Sequence, residues 1–229
     1  MKACLVAAAL VALVAQKDAA ATAAGLGSAD PAARAHAACE LRSFGSQATP
    51  YMPRLAAMLE DASPVDPSVC GERTWRFRAV RHGSGQGEDQ TTPGEQAASA
   101  LVAIGAPAQS VFLEALRRPV WVARRNAAWG LGALDASEAV PALIDALKDS
   151  DAGVREQVAW ALGSIGDRRA VDGLVAALGD SVAGVRKQAA WALGSIGDKR
   201  AVQGLMRALK DPDTGVRKQS AWALGSIGG

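Results

Sequence analysis

Trp129, Trp160, Trp191 and Trp222 stand 31 residues apart, each inside nearly the same phrase. It reads RRNAAWGLGAL from Arg124, REQVAWALGSIG from Arg155, RKQAAWALGSIG from Arg186 and RKQSAWALGSIG from Arg217. A fixed period of this size means one supersecondary unit copied end to end, because a single copy cannot bury its own apolar face. Arrays of this kind offer long surfaces more often than enclosed pockets. Binding is therefore the first expectation for function, and the repeat does not say what is bound.

Each copy reads as a helical hairpin. In the copy spanning 149–180, Asp149-Ser150-Asp151 supplies cap residues. Val154, Val158, Leu162 and Ile165 then make one apolar stripe on a first helix, A. Gly166 stops that helix as a C′ glycine does. Asp167 opens the next turn, and a second helix, B, runs from about Ala170 with Val171, Leu174 and Leu178 on one face. Gly179-Asp180 ends it. The expected fold is all-α, an α-solenoid of about five to six helical-hairpin repeats with one irregular insertion. Aromatic residues are only 4% of the chain and there are 24 glycines, which suits closely stacked helices. A net charge of +2 is too small to argue for nucleic acid or an anionic membrane.

The pairs Val154-Arg155, Val185-Arg186 and Val216-Arg217, the Ala-Leu-Gly-x-Ile-Gly-Asp after them and the later Ala-Val-x-x-Leu-x-x-Ala-Leu resemble HEAT repeats. The resemblance is to the short HEAT-like form named after the phycobilisome lyases. It is specific over 120–229 and weaker over 92–118, which keep Ala100-Leu101-Val102-Ala103-Ile104-Gly105. It is weakest over 30–60, where Arg34, Leu41, Phe44 and Gly45 hold the pattern. It implies two layers of helices with the B helices on the concave side.

Residues 1–23 read as a signal peptide. Met1-Lys2 is a short positive start, Ala3 to Ala15 is apolar but too short to span a bilayer, and Ala21-Thr22-Ala23 is a small-x-small cleavage site. An uncleaved N-terminal anchor is the competing reading. The mature chain is expected to be exported, periplasmic or secreted, with no membrane contact after cleavage. Residues 24–61 follow as a divergent N-terminal repeat, 62–91 as an irregular insertion loop and 92–229 as the HEAT-like array, its last repeat incomplete. Thr92-Pro93-Gly94-Glu95 is a strong helix start where the array resumes. Within the insertion Thr74 to Ala79 alternates like a short strand. In the last copy the stripe of Val216, Ser220, Leu224 and Ile227 is expected to lack a partner helix. That end is either a shortened array or an uncapped helix that contacts something else.

Cys39 and Cys70 can pair in an oxidising compartment. The alternative is an inert thiol at Cys39, which takes the place of the repeat tryptophan, and a free loop thiol at Cys70.

Comparing copies separates scaffold from surface. Ala146-Leu147, Ala177-Leu178 and Ala208-Leu209 recur because they pack. Positions 141, 172 and 203 read Pro, Asp and Gln, and positions 145, 176 and 207 read Asp, Ala and Arg. In the resembling family these B-helix positions and the turn before them face the concave groove. The candidate partner-binding surface is therefore Glu138, Asp145, Arg168, Arg169, Asp172, Lys199, Arg200, Gln203, Met206 and Arg207. A merely solvated face is the alternative. A second candidate lies in the insertion, where Arg73, Trp75, Arg76, Phe77 and Arg78 mix cations with aromatics. The competing reading is a loop packed over the first repeats with Trp75 and Phe77 as anchors.

The recurring Arg124, Arg155, Arg186 and Arg217 sit in the first turn of helix A, where the helix dipole disfavours a cation. Asp149, Asp180 and Asp211 share the period and can bond the Arg of their own or the next copy, which makes a structural ladder the expectation over an anion site. The tryptophans either cover small-residue notches of neighbouring copies, as a packing spine, or form an exposed ladder for a glycan or peptide.

No catalytic motif is present. GxSxG, HExxH, P-loop and GxGxxG are all missing. Neither His36 nor His82 is followed by Glu, which excludes the di-iron hydroxylases of the HEAT-like group on ligand count. No metal or cofactor is expected. Near-neutral charge and the export signal oppose nucleic-acid binding. The reading is a non-enzymatic protein–protein interaction scaffold or adaptor, exported from the cytoplasm, that binds a partner along the concave helix-B face. The alternatives are an enzyme or enzyme accessory of the bilin-lyase-like HEAT group, and glycan or peptide binding through the tryptophan ladder.

Overall fold

The computed structural model describes residues 18–70 and 90–228. The strand expected at 74–79 lies outside them. The described residues are mostly helical, with one isolated β-bridge between Val65 and Thr91. They fall into two compact units, residues 18–70 with 90–111 and residues 112–228.

In the first unit a helical stretch over 18–24 leads into α1 (Pro31–Ser43), α2 (Met52–Met58) and α3 (Pro93–Ile104). Asp30 caps α1 by accepting from Ala32 N at 3.0 Å, with Pro31 at the position where a missing N–H costs nothing. Thr92 and Glu95 form the expected capping box on α3. Both α1 and α2 pack on α3, with Leu41, Leu55 and Leu101 fully buried. The resumed helix 93–104 therefore belongs to the same compact unit as the divergent repeat. The ends of the 62–91 insertion meet. Val65 N and Thr91 N each donate to the other's carbonyl at 2.9 Å, and a disulfide joins Cys39 of α1 to Cys70.

The second unit takes up the chain from Phe112, within α4 (Gln109–Ala115). It then alternates A helices, α5 (Trp121–Ala133), α7 (Ala152–Ile165), α9 (Ala183–Ile196) and α11 (Thr214–Gly228), with B helices, α6 (Val140–Ala146), α8 (Val171–Ala177) and α10 (Val202–Ala208). Consecutive A helices stack on one another, and each B helix packs on the A helix that follows it. Gly166 and Gly197 end α7 and α9 at φ 71°, the left-handed conformation that favours glycine. Asp135 takes the same place after α5 at φ 53°.

The stacking distance is set by small residues. A Cβ built on Gly132 would lie 2.8 Å from Ala161 Cα and 2.9 Å from the Trp160 ring. The same pattern joins Gly163 to Ala192 and Trp191, and Gly194 to Ala223 and Trp222. Each ring thus covers the notch of the copy before it, which is the packing spine. Trp160→Ala is expected to destabilise the chain by about 2 kcal/mol, less than a fully buried tryptophan because the ring is half-exposed. The chemical-denaturation midpoint checks it, and an unchanged midpoint would remove the spine.

The last helix departs from expectation. Val216, Ser220 and Ile227 are buried and Leu224 is half-buried, because α11 packs against both α9 and α10. The stripe faces the preceding B helix and has its partner there. The exposed large apolar side chains near it are Met206 at 51%, Trp222 at 47% and Leu209 at 39%.

The arginine ladder holds the register. Arg124, Arg155 and Arg186 each donate through Nε and Nη2 to both oxygens of the aspartate 25 residues ahead, at 2.6–3.0 Å. Their Nη1 atoms donate to carbonyls five and six residues back, so one guanidinium ties the loops on both sides of its helix. Arg34 repeats the arrangement with Asp61, Ser28 O and Ala29 O, which shows that the divergent repeat keeps the device. Burial would raise the Asp149 and Asp180 carboxyls, but the arginine hydrogen bonds and charges and a backbone amide outweigh it and hold both below the usual range.

Candidate protein-binding face

The B helices put an apolar edge inward and leave the candidate surface outside. Val140 and Leu143, Val171 and Leu174, and Leu205 and Ala208 are buried. Glu138, Asp145, Arg168, Arg169, Asp172, Lys199, Arg200, Gln203, Met206 and Arg207 are all exposed. The sequence comparison thus picked residues that share the outer side of three B helices and the 3₁₀ turns before them, Ser137–Ala139, Arg168–Ala170 and Lys199–Ala201.

Two of the ten, Arg169 and Arg200, act as struts between turns. Arg169 grips Asp167 at 2.6 Å and donates Nη2 to Ser137 O of the preceding turn at 2.8 Å. Arg200 grips Asp198 at 3.0 Å and donates to Arg168 O at 2.8 Å. They form a second set of struts from turn to turn, and their first duty is structural. Hydrogen bonding to these arginines lowers the Asp167 and Asp198 carboxyls. Arg200 also reaches the exposed Asp172 at 3.3 Å, a contact that solvent weakens. Glu138, Asp145, Arg168, Lys199, Gln203 and Arg207 are the polar members that these struts leave on the surface.

Between α8 and α10 lies a half-open cleft of about 340 Å³, lined by Val175, Leu178, Gly204, Arg207 and Asp211 among others. Gly204 makes it, because a Cβ there would stand 3.1 Å from Leu178 and 3.2 Å from Val175. Gly173 approaches Leu147 and Ile144 in the same way one copy earlier. Met206 and Leu209 occupy the places of Val175 and Leu178 in the last copy and have no following B helix against them among the described residues.

Sequence reasoning missed two features. Trp121, just before the repeat phrase, is 43% exposed with the Arg125 guanidinium 5.3 Å from its ring centroid, a cation–π pair. Glu156 is 1% exposed, and burial pushes its carboxyl up to about 7, with Lys187 pulling the other way. The signal for it was in the copies, where the residue after the ladder arginine reads Arg125, Glu156, Lys187 and Lys218. The insertion candidates Arg73, Trp75, Arg76, Phe77 and Arg78 lie outside the described residues. Among the described residues no cluster of His, Cys, Asp and Glu has a metal-holding arrangement, and no helix is long and apolar enough to cross a membrane.

HEAT repeats match residues 110–190 and 174–229, more than half of the chain. The chain belongs to the HEAT repeat family. No curated protein sequence matches this HEAT-repeat chain. Among solved structures it is similar to the complex of CpcE and CpcF of phycocyanin lyase from Nostoc sp. PCC7120. That match has 25% identity and a TM-score of 0.54 over 91% of this chain and 76% of the other. A designed armadillo repeat protein in complex with a (KR)4 peptide is similar at 18% identity and a TM-score of 0.54, over 90% of this chain and 98% of the other. Yeast importin-beta is similar at 16% identity and a TM-score of 0.59, over 91% of this chain but only 30% of its own length. The last two show the fold alone.

Proposed function

We propose that this HEAT-repeat protein is a non-enzymatic scaffold that binds another protein along the outer side of its B helices. One observation carries the reading. Three consecutive copies keep a buried alanine and leucine, Ala139 and Leu143, Ala170 and Leu174, Ala201 and Leu205, while the exposed residues at equivalent B-helix positions change from copy to copy. A face with a fixed frame and variable side chains suits the recognition of one irregular partner surface through several modest contacts. Two of the similar structures are complexes, of CpcE with CpcF and of an armadillo protein with a peptide, and that use of the fold supports the same reading here. We place the chain outside the cytoplasm. The signal-peptide pattern over 1–23 and the Cys39–Cys70 disulfide both fit an oxidising compartment.

The test is affinity capture with the full chain, comparing wild type with Arg168→Glu, Lys199→Glu and Arg207→Glu combined. These positions leave both arginine struts intact, so the fold is expected to hold. A protein partner bound at least tenfold more weakly by the triple variant is the expected result, since each lost rim contact is worth roughly 0.5–1 kcal/mol. Equal capture by both forms would move the site off this face.

A further inference from the structure

We infer that the Cys39–Cys70 disulfide is a reducible tether. It pins the turn Pro67–Cys70 to α1, while the α1–α3 core is built to stand in either redox state.

The two sides of the bond are unequal. Cys39 is buried in α1, and the residues around it are held by packing that does not involve the bond, with Ala35, Ala38, Leu41, Ala97 and Leu101 fully buried. Cys70 is half-exposed and ends a turn in which no residue is buried. Among the described residues the turn also packs on α1 and shares a hydrogen bond with it, between His36 Nδ1 and Val69 O at 2.9 Å. Its other bonds are local, from Ser68 N to Asp66 Oδ1 at 2.8 Å and from Val69 N to Asp66 O at 3.2 Å.

The buried end also has a waiting partner. Cys39 Sγ lies 3.1 Å from Oε1 of Gln96, a nearly fully buried side chain on α3. Gln96 Nε2 donates to Thr91 Oγ1 at 2.9 Å, which fixes the amide with its oxygen toward the sulfur. Thr91 Oγ1 in turn donates to Glu95 Oε2 at 3.0 Å. In the disulfide the sulfur carries no proton. On reduction the Cys39 thiol gains one and donates it to Gln96, so breaking the bond satisfies a buried acceptor.

The step balances with a dithiol as reductant. One of its thiolates attacks the accessible Cys70 sulfur and forms a mixed disulfide. Cys39 leaves with the electron pair and takes up a proton. The second thiol of the reductant then closes on the first, and Cys70 departs as a thiol. Two electrons pass to the protein, and the reductant becomes a cyclic disulfide.

Hydrogen exchange read by mass spectrometry on the full chain tests this, with Cys4→Ser so that only one pair responds. Samples are compared before and after dithiothreitol. Amides in 66–70 are expected to exchange at least about tenfold faster after reduction, while those of α1 and α3 stay unchanged. Cys39→Ser keeps a hydroxyl donor for Gln96 and should match the reduced protein. Cys39→Val removes the donor and should quicken exchange in α3 as well. Faster exchange throughout α1 and α3 on reduction would make the bond a core staple and overturn the inference. So would a turn that stays equally protected when reduced.

Discussion

Alanine at Gly163 and alanine at Gly225 are expected to move stability in opposite directions, although the two glycines occupy the same place in their repeats. A Cβ on Gly163 would stand 2.7 Å from Ala192 Cα and 2.7 Å from the Trp191 ring. The first of these is backbone of the next helix and cannot swing aside. Overpacking of this kind costs about 1–3 kcal/mol. The better helix propensity of alanine, about 1 kcal/mol, offsets only part of a cost at the upper end of that range. The ring must also lift, so the net is expected to be destabilising. At Gly225 nothing lies within 4 Å of the same Cβ. Only the propensity gain remains, and Gly225→Ala should stabilise by up to about 1 kcal/mol. Urea midpoints of both variants read the signs directly. Two shifts of the same sign would mean that close stacking does not set the repeat spacing.

The second large effect is a dependence on pH carried by Glu156. Its carboxyl on α7 is buried and is raised from 4.5 to about 7 by loss of solvation, against the pull of Lys187 on α9. The folded state therefore holds its proton more tightly than the unfolded state does. Below pH 4.5 both states are protonated and the group takes nothing away. As pH rises from 4.5 to 7 the unfolded chain releases the proton first, and stability falls. Above 7 both states are ionised and the loss is complete, at about 3 kcal/mol. Glu156→Gln keeps the shape without the charge. It should be flat across that window where wild type declines, and it should be the more stable protein at pH 8. The ladder carboxyls do not confuse the result. Asp149 and Asp180 are held below the usual range, so their contribution is present above it and lost only in stronger acid. A wild-type chain with no decline between pH 5 and 8 would show that Glu156 stays solvated.

The repeat made most of this fold legible. A helix whose apolar residues recur at Val154, Val158 and Leu162 must bury that side, and a copy 31 residues on must do the same against it. The ladder was readable too, because an arginine and an aspartate with one period have few other ways to meet. The candidate face followed from the positions that change between copies, and all ten side chains are exposed.

Direction and partner choice were not legible. The sequence offered Asp180 to an arginine of its own copy or another, and only the stacking of α7 on α9 gives it to Arg155. Arg169 and Arg200 read as surface cations because a sequence does not show that the carbonyl of the preceding turn lies within reach. The stripe on α11 reads as unpartnered from chain order, since no B helix follows it, while the packing runs backward onto α9 and α10. Glu156 looked like one more charge on a variable position, since burial there depends on how closely the next helix approaches. By itself, then, the sequence determined the repeating unit, its helices and its register, which are local periodicities written residue by residue. The tertiary structure alone decided which charges are struts, which are buried and which remain free to meet a partner, because those depend on distances between copies that no single copy contains.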